Sequence, residues 1–266
     1  MAGIGLGSAL GLTQQPPKKG GVVYKSSSYS ANTMLGIELR AALKPSFQKS
    51  LSEAPVSLIT EVKPYITPVE ETYEGVPEPV RMVFISVGFI ELMNNVSHAK
   101  AIDLIEKGFF RKYLSTLATE SGDTSLAYLE GVRSPRFWSD RILNEQLSNY
   151  FQMVGMVVAI DLAHLYLGHY RNHRDKLEED KTLALPINRF LTKDEWERAL
   201  AFGTWNSLEC GFGTEGAKTL FDAIDKMPTR PEWTEYFLPK GLRVSRLKRS
   251  LARIERDFFS GKELDA

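Results

Sequence analysis

The sequence predicts an α+β protein that is mainly helical, with a small sheet and one long buried central helix. Two local observations and one global observation support this class. Residues 151–167 are apolar except for Gln152, Asp161 and His164, as expected of a helix buried on nearly all sides. Residues 80–87 (VRMVFISV) combine β-branched and aromatic side chains, which favour a strand. The 266 residues, 43% of them hydrophobic, suffice for one large domain with its own core.

Residues 1–30 are expected to form a flexible segment in front of a single domain that spans 31–266. Residues 2–12 are apolar and rich in glycine, with no Lys or Arg before them. We interpret them either as a flexible N terminus or as the remnant of a signal peptide without its charged start. The remnant would indicate the bacterial envelope, in the periplasm, whereas a flexible terminus would indicate the cytoplasm. Residues 14–21 (QQPPKKGG) and the serines within 26–30 predict a linker.

Apolar periodicity predicts helices on both sides of a proline-rich stretch. Residues 31–42 have the spacing of an amphipathic helix. Six prolines between residues 45 and 79 disfavour a long helix in that stretch. The strand at 80–87 is followed by helical spacing over residues 89–103, and the spacing predicts that the helix continues over 101–117.

The second half of the chain predicts clear helix boundaries. We expect the central helix within residues 144–174. Residues 192–195 (TKDE) match a capping box, in which Thr and Glu side chains satisfy the first free N–H groups of a helix. A glycine-rich stretch at 211–216 precedes a further helix at 217–225. Residues 242–259 predict a basic amphipathic helix with one apolar face.

Composition excludes several classes of partner and site. Thirty-three basic residues balance thirty-three acidic ones, so no net field attracts nucleic acid, and the C-terminal basic helix should face solvent. The apolar segment 151–167 reaches the lower length of a membrane span, about 17 residues. Asp161 and His164 would be costly in lipid, so we expect no transmembrane segment. Cys210, the single cysteine, excludes an internal disulfide framework and is expected to be a packing residue.

Three of the four histidines lie within ten residues, close to one buried carboxylate. Asp161 and His164 are i,i+3 neighbours on one helix face. His169 and His173 have the i,i+4 spacing that lets two imidazoles share a metal ion. On a regular helix His164 and His169 diverge by about 140°. The four groups therefore should not converge on a single ion.

Residues 159–169 (AIDLAHLYLGH) resemble the A-H-E-L-A-H-x-x-L-G-H helix of zinc metallopeptidases of the HtpX and CaaX-prenyl-protease type. Upstream, residues 83–92 (VFISVGFIEL) are similar to the strand and helix that lead into that family's active site. Downstream, residues 207–213 (SLECGFG), with the helical segment 217–220, resemble its E-x-x-A-D region. The three matches occur in the family's order, and the resemblance implies a zincin-like, gluzincin-type domain.

The resemblance also implies that most of the zinc site has been lost. Ile160 stands at the first zinc ligand and has no atom to donate. Asp161 stands at the general base and is one methylene shorter than the family's Glu. His164 stands at the second ligand, and Ser207 replaces the third. Because a hydrolytic zinc ion needs about three protein ligands and a water, the expected cofactor is none, with zinc as the alternative.

The function expected from these residues is that of a metallopeptidase-like pseudoenzyme, which acts as a binding or scaffold module for a polypeptide. Such a module should show a cleft with apolar walls.

Two alternatives remain open at this stage. A metal-dependent hydrolase would recruit other ligands, such as Asp161, His164 and Glu209. A purely structural domain would seal Asp161 and His164 in the core, hydrogen-bonded to each other. His169 and His173 are expected at an exposed, polar end of the helix, with an ion-binding pair as the alternative.

Overall fold

Helices form most of the fold, and the strands form one small sheet. The computed structural model describes residues 27–117, 129, 131–178 and 185–264, with side chains from residue 34 onwards. The helices are α1 (Ser27–Ala41), α2 (Pro45–Gln48), α3 (Val87–Ile102), α4 (Phe109–Leu117), α5 (Asp140–Tyr166), α6 (His169–Asn172), α7 (Arg174–Leu177), α8 (Lys193–Glu209), α9 (Glu215–Lys226) and α10 (Val244–Phe259). The mainly helical α+β class is confirmed. The signal-peptide remnant considered for the N terminus lies outside the described residues.

The sheet has three strands in the order β1-β3-β2. The strands are β1 (Val56–Ile59), β2 (Ile66–Glu71) and β3 (Val80–Ser86). β1 pairs with β3 in parallel, and β2 pairs with β3 in the antiparallel direction. β3 confirms the predicted strand. The sequence analysis missed β1 and β2, which lie in the proline-rich stretch. Pro68 is accommodated because β2 is an edge strand, where a missing N–H group can be tolerated.

The long central helix α5 packs against α3, α8, α9 and the sheet. Its residues from Met153 to Leu165 are all buried, as the apolar segment predicts. α5 and α8 run in opposite directions. Ile160 lies against Gly203, and Gly155 lies against Phe212, just beyond the end of α8.

Two of the predicted helices differ from the structure in their bounds. α1 begins at Ser27, so residues 27–30 are helical and do not belong to the predicted linker. The helix predicted to continue over residues 101–117 is interrupted between α3 and α4. There the Asp103 carboxylate accepts hydrogen bonds from the N–H groups of Gly108 and Phe110, at 2.9 and 3.1 Å, and so caps the start of α4.

The C-terminal half follows the prediction more closely. The capping box at the start of α8 is confirmed, because Thr192 and Glu195 exchange side-chain to backbone hydrogen bonds. α10 packs on α8 and α9 and buries Val244, Leu247 and Leu251 on its apolar face. In the part of the chain that the structure describes, no helix combines the length and the apolar character needed to cross a membrane.

Candidate functional site

The end of α5 brings together two histidines that a regular helix would keep apart. The helix ends at Tyr166, and Gly168, with a φ of +79°, turns the chain back into α6. Glycine adopts this left-handed conformation without strain. The Nδ1 atoms of His164 and His169 therefore lie 3.0 Å apart, so that one ring donates a hydrogen bond to the other. The expected divergence of about 140° is wrong because the helix does not continue through Gly168.

The positions of His169 and His173 also differ from the prediction. His169 is only 3% exposed, so it does not lie at an exposed helix end. His173 is half-buried, and its Nε2 lies 3.0 Å from Oε2 of Glu195. Burial alone would raise the pKa of Glu195, but hydrogen bonds from His173, Thr192 and Asn172 lower it to about 2. The two histidines thus bond to different partners, His169 to His164 and His173 to Glu195.

Asp161 and His164 are both buried, but they do not form the hydrogen bond expected of a structural pair. Among the described residues, Oδ2 of Asp161 and Nε2 of His164 have no hydrogen-bond partner. Burial raises the pKa of Asp161 well above its ordinary value. Burial, and then the neighbouring His169, lower the pKa of His164 to about 3. Burial therefore favours the uncharged form of both side chains, the protonated carboxyl group and the neutral imidazole.

The packing of α5 on α8 does not bring the predicted ligand positions together. A Cβ atom added to Gly203 would lie 2.7 Å from the Cα atom of Ile160, so the two backbones meet at the first ligand position. Ser207 lies one turn beyond Gly203, in the direction away from His164. Ser207 and His164 are therefore separated by about 12 Å along the helix axes. Ser207 is buried, and its hydroxyl has no partner among the described residues.

The residues of the described chain do not fit the zinc site that the resemblance implies. A zinc site requires about three donors within roughly 2.0–2.3 Å of the ion. Within the described ranges, no three His, Cys, Asp or Glu side chains are grouped so that they could hold a metal ion. Glu209, considered above as a substitute ligand, is exposed at the end of α8, whereas His164 is fully buried.

A surface cleft lies beside this buried cluster, and its lining residues were not predicted from the sequence. Its volume is about 400 Å³, and we call it the aromatic cleft because five aromatic side chains line it. These are Phe47, Tyr166, Phe202, Trp205 and Phe258. The remaining lining residues are Ala42, Leu43, Lys44, Asn206, Glu209, Gly261, Lys262, Glu263 and Leu264. The cleft thus joins the end of α5 to α2, α8 and the C-terminal end of α10.

The aromatic rings form two groups on the walls of the cleft. Phe47 stacks on Tyr166 with a centroid distance of 4.6 Å, and Phe202 contacts Phe47 edge-on at 5.7 Å. Trp205 contacts Phe258 edge-on at 5.1 Å. Such offset and edge-on contacts are the geometries that aromatic pairs prefer.

α8 alone supplies four lining residues of the cleft. Phe202, Trp205, Asn206 and Glu209 have i, i+3, i+4, i+7 spacing and therefore share one helix face. This spacing was the one sequence feature that could have indicated the cleft.

The fourth histidine, His98, and the single cysteine, Cys210, both contact backbone carbonyl groups. Nε2 of His98 lies 2.9 Å from the carbonyl oxygen of Phe137, and burial lowers the pKa of His98 to about 4. Cys210 is half-buried, and burial together with the carboxylates of Glu38 and Glu209 raises its pKa to about 12. A thiol with so high a pKa is a packing residue rather than a nucleophile.

We compared the chain with models of protein families, with curated proteins and with solved structures, and none of them matches it.

Proposed function

We propose that the protein is a non-catalytic binding module on a metallopeptidase-like core, and that it binds a polypeptide through the aromatic cleft. The observation that carries the proposal is a contrast at the end of α5. His164, at the family's second ligand position, is completely buried, whereas Tyr166, two residues later, lines an open cleft with aromatic walls.

The metallopeptidase-like part of the proposal is supported by the polar interior of α5. Asp161 and His164 occupy the positions that the resemblance assigns to the general base and the second ligand. Each keeps a buried polar atom without a partner among the described residues. Buried polar groups in native proteins nearly always have partners, and a lapsed catalytic site accounts for the two unpartnered atoms at these positions. No hydrolytic step follows, because the residues do not gather around an ion.

The binding part of the proposal is supported by the chemistry of the cleft. Ligand sites are typically concave, with largely apolar and aromatic walls and a few polar groups. A larger depression, of about 860 Å³, lies near Arg189 and Arg230. Arg189 is already paired with Glu232 and Glu235, and Arg230 is paired with Asp225, so these two arginines are engaged within the protein. The aromatic cleft is therefore the better candidate.

A selection from a displayed library of random peptides tests the binding function. We expect peptides that bind the full chain and lose about tenfold or more in affinity on Trp205→Ala, because aromatic residues commonly dominate binding sites. The matched control is Phe259→Ala, which removes a neighbouring aromatic ring that is 74% exposed and does not line the cleft. Equal loss with both variants, or no loss with Trp205→Ala, would contradict the assignment of the cleft.

A metal-dependent hydrolase is the second candidate, favoured by the unpartnered Nε2 of His164 and Oδ2 of Asp161. Metal analysis of the protein after dialysis against trace zinc separates the two functions. We expect far less than one zinc ion per chain. Near-stoichiometric zinc that is lost on His164→Ala would support the hydrolase and overturn the non-catalytic proposal.

A further inference from the structure

The mouth of the aromatic cleft carries more unpaired negative charge than positive charge. Glu209 and Glu263 both line the cleft, both are exposed, and neither has an ion-pair partner among the described residues. Of the two lysines that line the cleft, Lys262 is paired with Asp257 at 2.8 Å. Lys44 is exposed and likewise has no ion-pair partner in the described ranges. The unpaired charges at the mouth are thus two carboxylates and one ammonium group.

The half-buried thiol of Cys210, next to the cleft, lies close to one of these carboxylates. Cys210 follows Glu209 directly, and its Sγ lies 3.6 Å from the carbonyl oxygen of Glu38. Burial is the main reason for its raised pKa, and the carboxylates of Glu38 and Glu209 act in the same direction. The carboxylate of Glu209, which lines the cleft, thus adds to burial in disfavouring a thiolate at this end of α8.

The aromatic walls attract the same class of ligand for a separate reason. The face of an aromatic ring carries partial negative charge, and several rings around one space form a cage that binds ammonium and alkylammonium groups. Phe202 already attracts a cation of this chain, because the guanidinium carbon of Arg198 lies 5.8 Å from its ring centroid. Arg198 itself does not line the cleft.

We propose that the aromatic cleft binds a basic side chain, an ammonium or alkylammonium group on an apolar stem, presented by a polypeptide. This inference rests on the proposed function and names the chemistry of its ligand. Phe47, Tyr166, Phe202, Trp205 and Phe258 surround the cation. Glu209 and Glu263 supply the complementary charge at the mouth.

Choline provides the simplest probe, because a neutral analogue exists in which carbon replaces the quaternary nitrogen. Binding of each compound to the full chain is followed by the indole N–H resonance of Trp205 in nitrogen–proton correlation spectra. We expect choline to bind about 3- to 10-fold more tightly than its neutral analogue, as cation–π and carboxylate contacts imply. Glu209→Gln should weaken choline binding about 3-fold or more and leave the neutral analogue unaffected.

Two variants separate the ring contribution from the charge contribution. Trp205→Leu keeps an apolar wall but removes the indole ring. It should therefore lower the affinity for choline more than the affinity for the neutral analogue. Binding to this variant is measured by calorimetry. Glu78→Gln is the matched charge control, because it removes an exposed carboxylate that does not line the cleft. It should leave both affinities unchanged.

The outcomes distinguish this inference from the proposed function. Equal binding of choline and its neutral analogue, with no effect of Glu209→Gln, would overturn the cation preference and leave an apolar binding cleft. Absence of binding by both compounds would also overturn the cation preference. The proposed function would then be decided by the peptide selection, which does not depend on the charge of the ligand.

Discussion

His164 and Tyr166 stand two residues apart on α5, yet they belong to opposite regions of the molecule. Two residues on a helix are rotated by about 200°, so their side chains leave nearly opposite faces. His164 is buried beneath α6 and bonds to His169, whereas the ring of Tyr166 forms a wall of the aromatic cleft. The first region keeps polar groups without an opening to solvent. The second region is open and mostly apolar.

Under the proposed function, one helix keeps the residues of a lapsed site on its interior face and forms a wall of the binding cleft on its outer face. Polar groups such as Asp161 and His164 need partners, a metal ion or solvent, and the interior supplies few of these. Aromatic walls need only a ligand that covers them. In this account the ligand binds at the outer face of α5, which it can reach, and not at the buried interior face.

The largest expected effect concerns the contact that closes the interior. Gly203→Ala would place a Cβ atom 2.7 Å from the backbone of Ile160 and force α5 and α8 apart. We expect a loss of about 3 kcal/mol in the free energy of unfolding, measured with urea. Helix propensity alone would favour Ala by about 1 kcal/mol, so a loss isolates the contact. Gly213→Ala, in the loop between α8 and α9, is the control for a Cβ added without a backbone clash, since it would lie 3.4 Å from the flexible side chain of Gln152.

The next effect is the response of His164 to acid. Its pKa is about 3 in the folded state and near 6.5 in the unfolded chain, so the unfolded state binds the extra proton as pH falls below 6.5. Stability is therefore lost as pH falls from 6.5 towards 3. The stability difference between the wild type and His164→Gln should shrink by about 2 kcal/mol from pH 7 to pH 5. His98→Gln should behave alike, because the pKa of His98 is about 4. A difference that stays constant with pH would show that His164 is not buried as a neutral ring.

Asp161 should show the opposite dependence on pH. Burial raises its folded pKa, so the folded protein keeps this proton to higher pH than the unfolded chain, which ionises above about pH 4. Rising pH therefore favours the unfolded state. Asp161→Asn, which is neutral throughout, should stabilise the protein at pH 7 by about 1 to 2 kcal/mol. The gain should vanish near pH 4 in urea unfolding experiments. Destabilisation at pH 7 would reveal a partner for the carboxylate.

The smallest effect is expected at the wall of the cleft. The hydroxyl group of Tyr166 is buried and has no hydrogen-bond partner among the described residues. Tyr166→Phe keeps the stacking on Phe47 and removes only that unsatisfied group. It should leave the free energy of unfolding unchanged or raise it by less than about 1 kcal/mol. A clear loss of stability would show that the hydroxyl group has a partner.

The elements that were predicted correctly are those with strong local patterns. The apolar run of α5, the Thr192 and Glu195 capping box and the β-branched strand β3 are each specified within a few residues. β1 and β2 were missed because prolines mask their strand character, and their pairing with β3 is a long-range contact. A local pattern does not encode such a contact.

The candidate site was harder to predict because it depends on tertiary geometry. The approach of His169 to His164 depends on a single glycine, Gly168, whose backbone conformation ends the helix. The aromatic cleft depends on residues from four separate segments, and only the Phe202 to Glu209 spacing on α8 is visible in the sequence. The family resemblance predicted a site on the interior face of α5, and this face is buried.

The most direct test of this account measures how tightly the selected peptides bind two variants that differ in the region they affect. We predict that Trp205→Ala weakens binding about tenfold or more, while His164→Gln, once its fold is verified by circular dichroism, stays within about twofold of the wild type. Loss of binding with His164→Gln and full binding with Trp205→Ala would contradict the account, because function would then reside in the buried cluster.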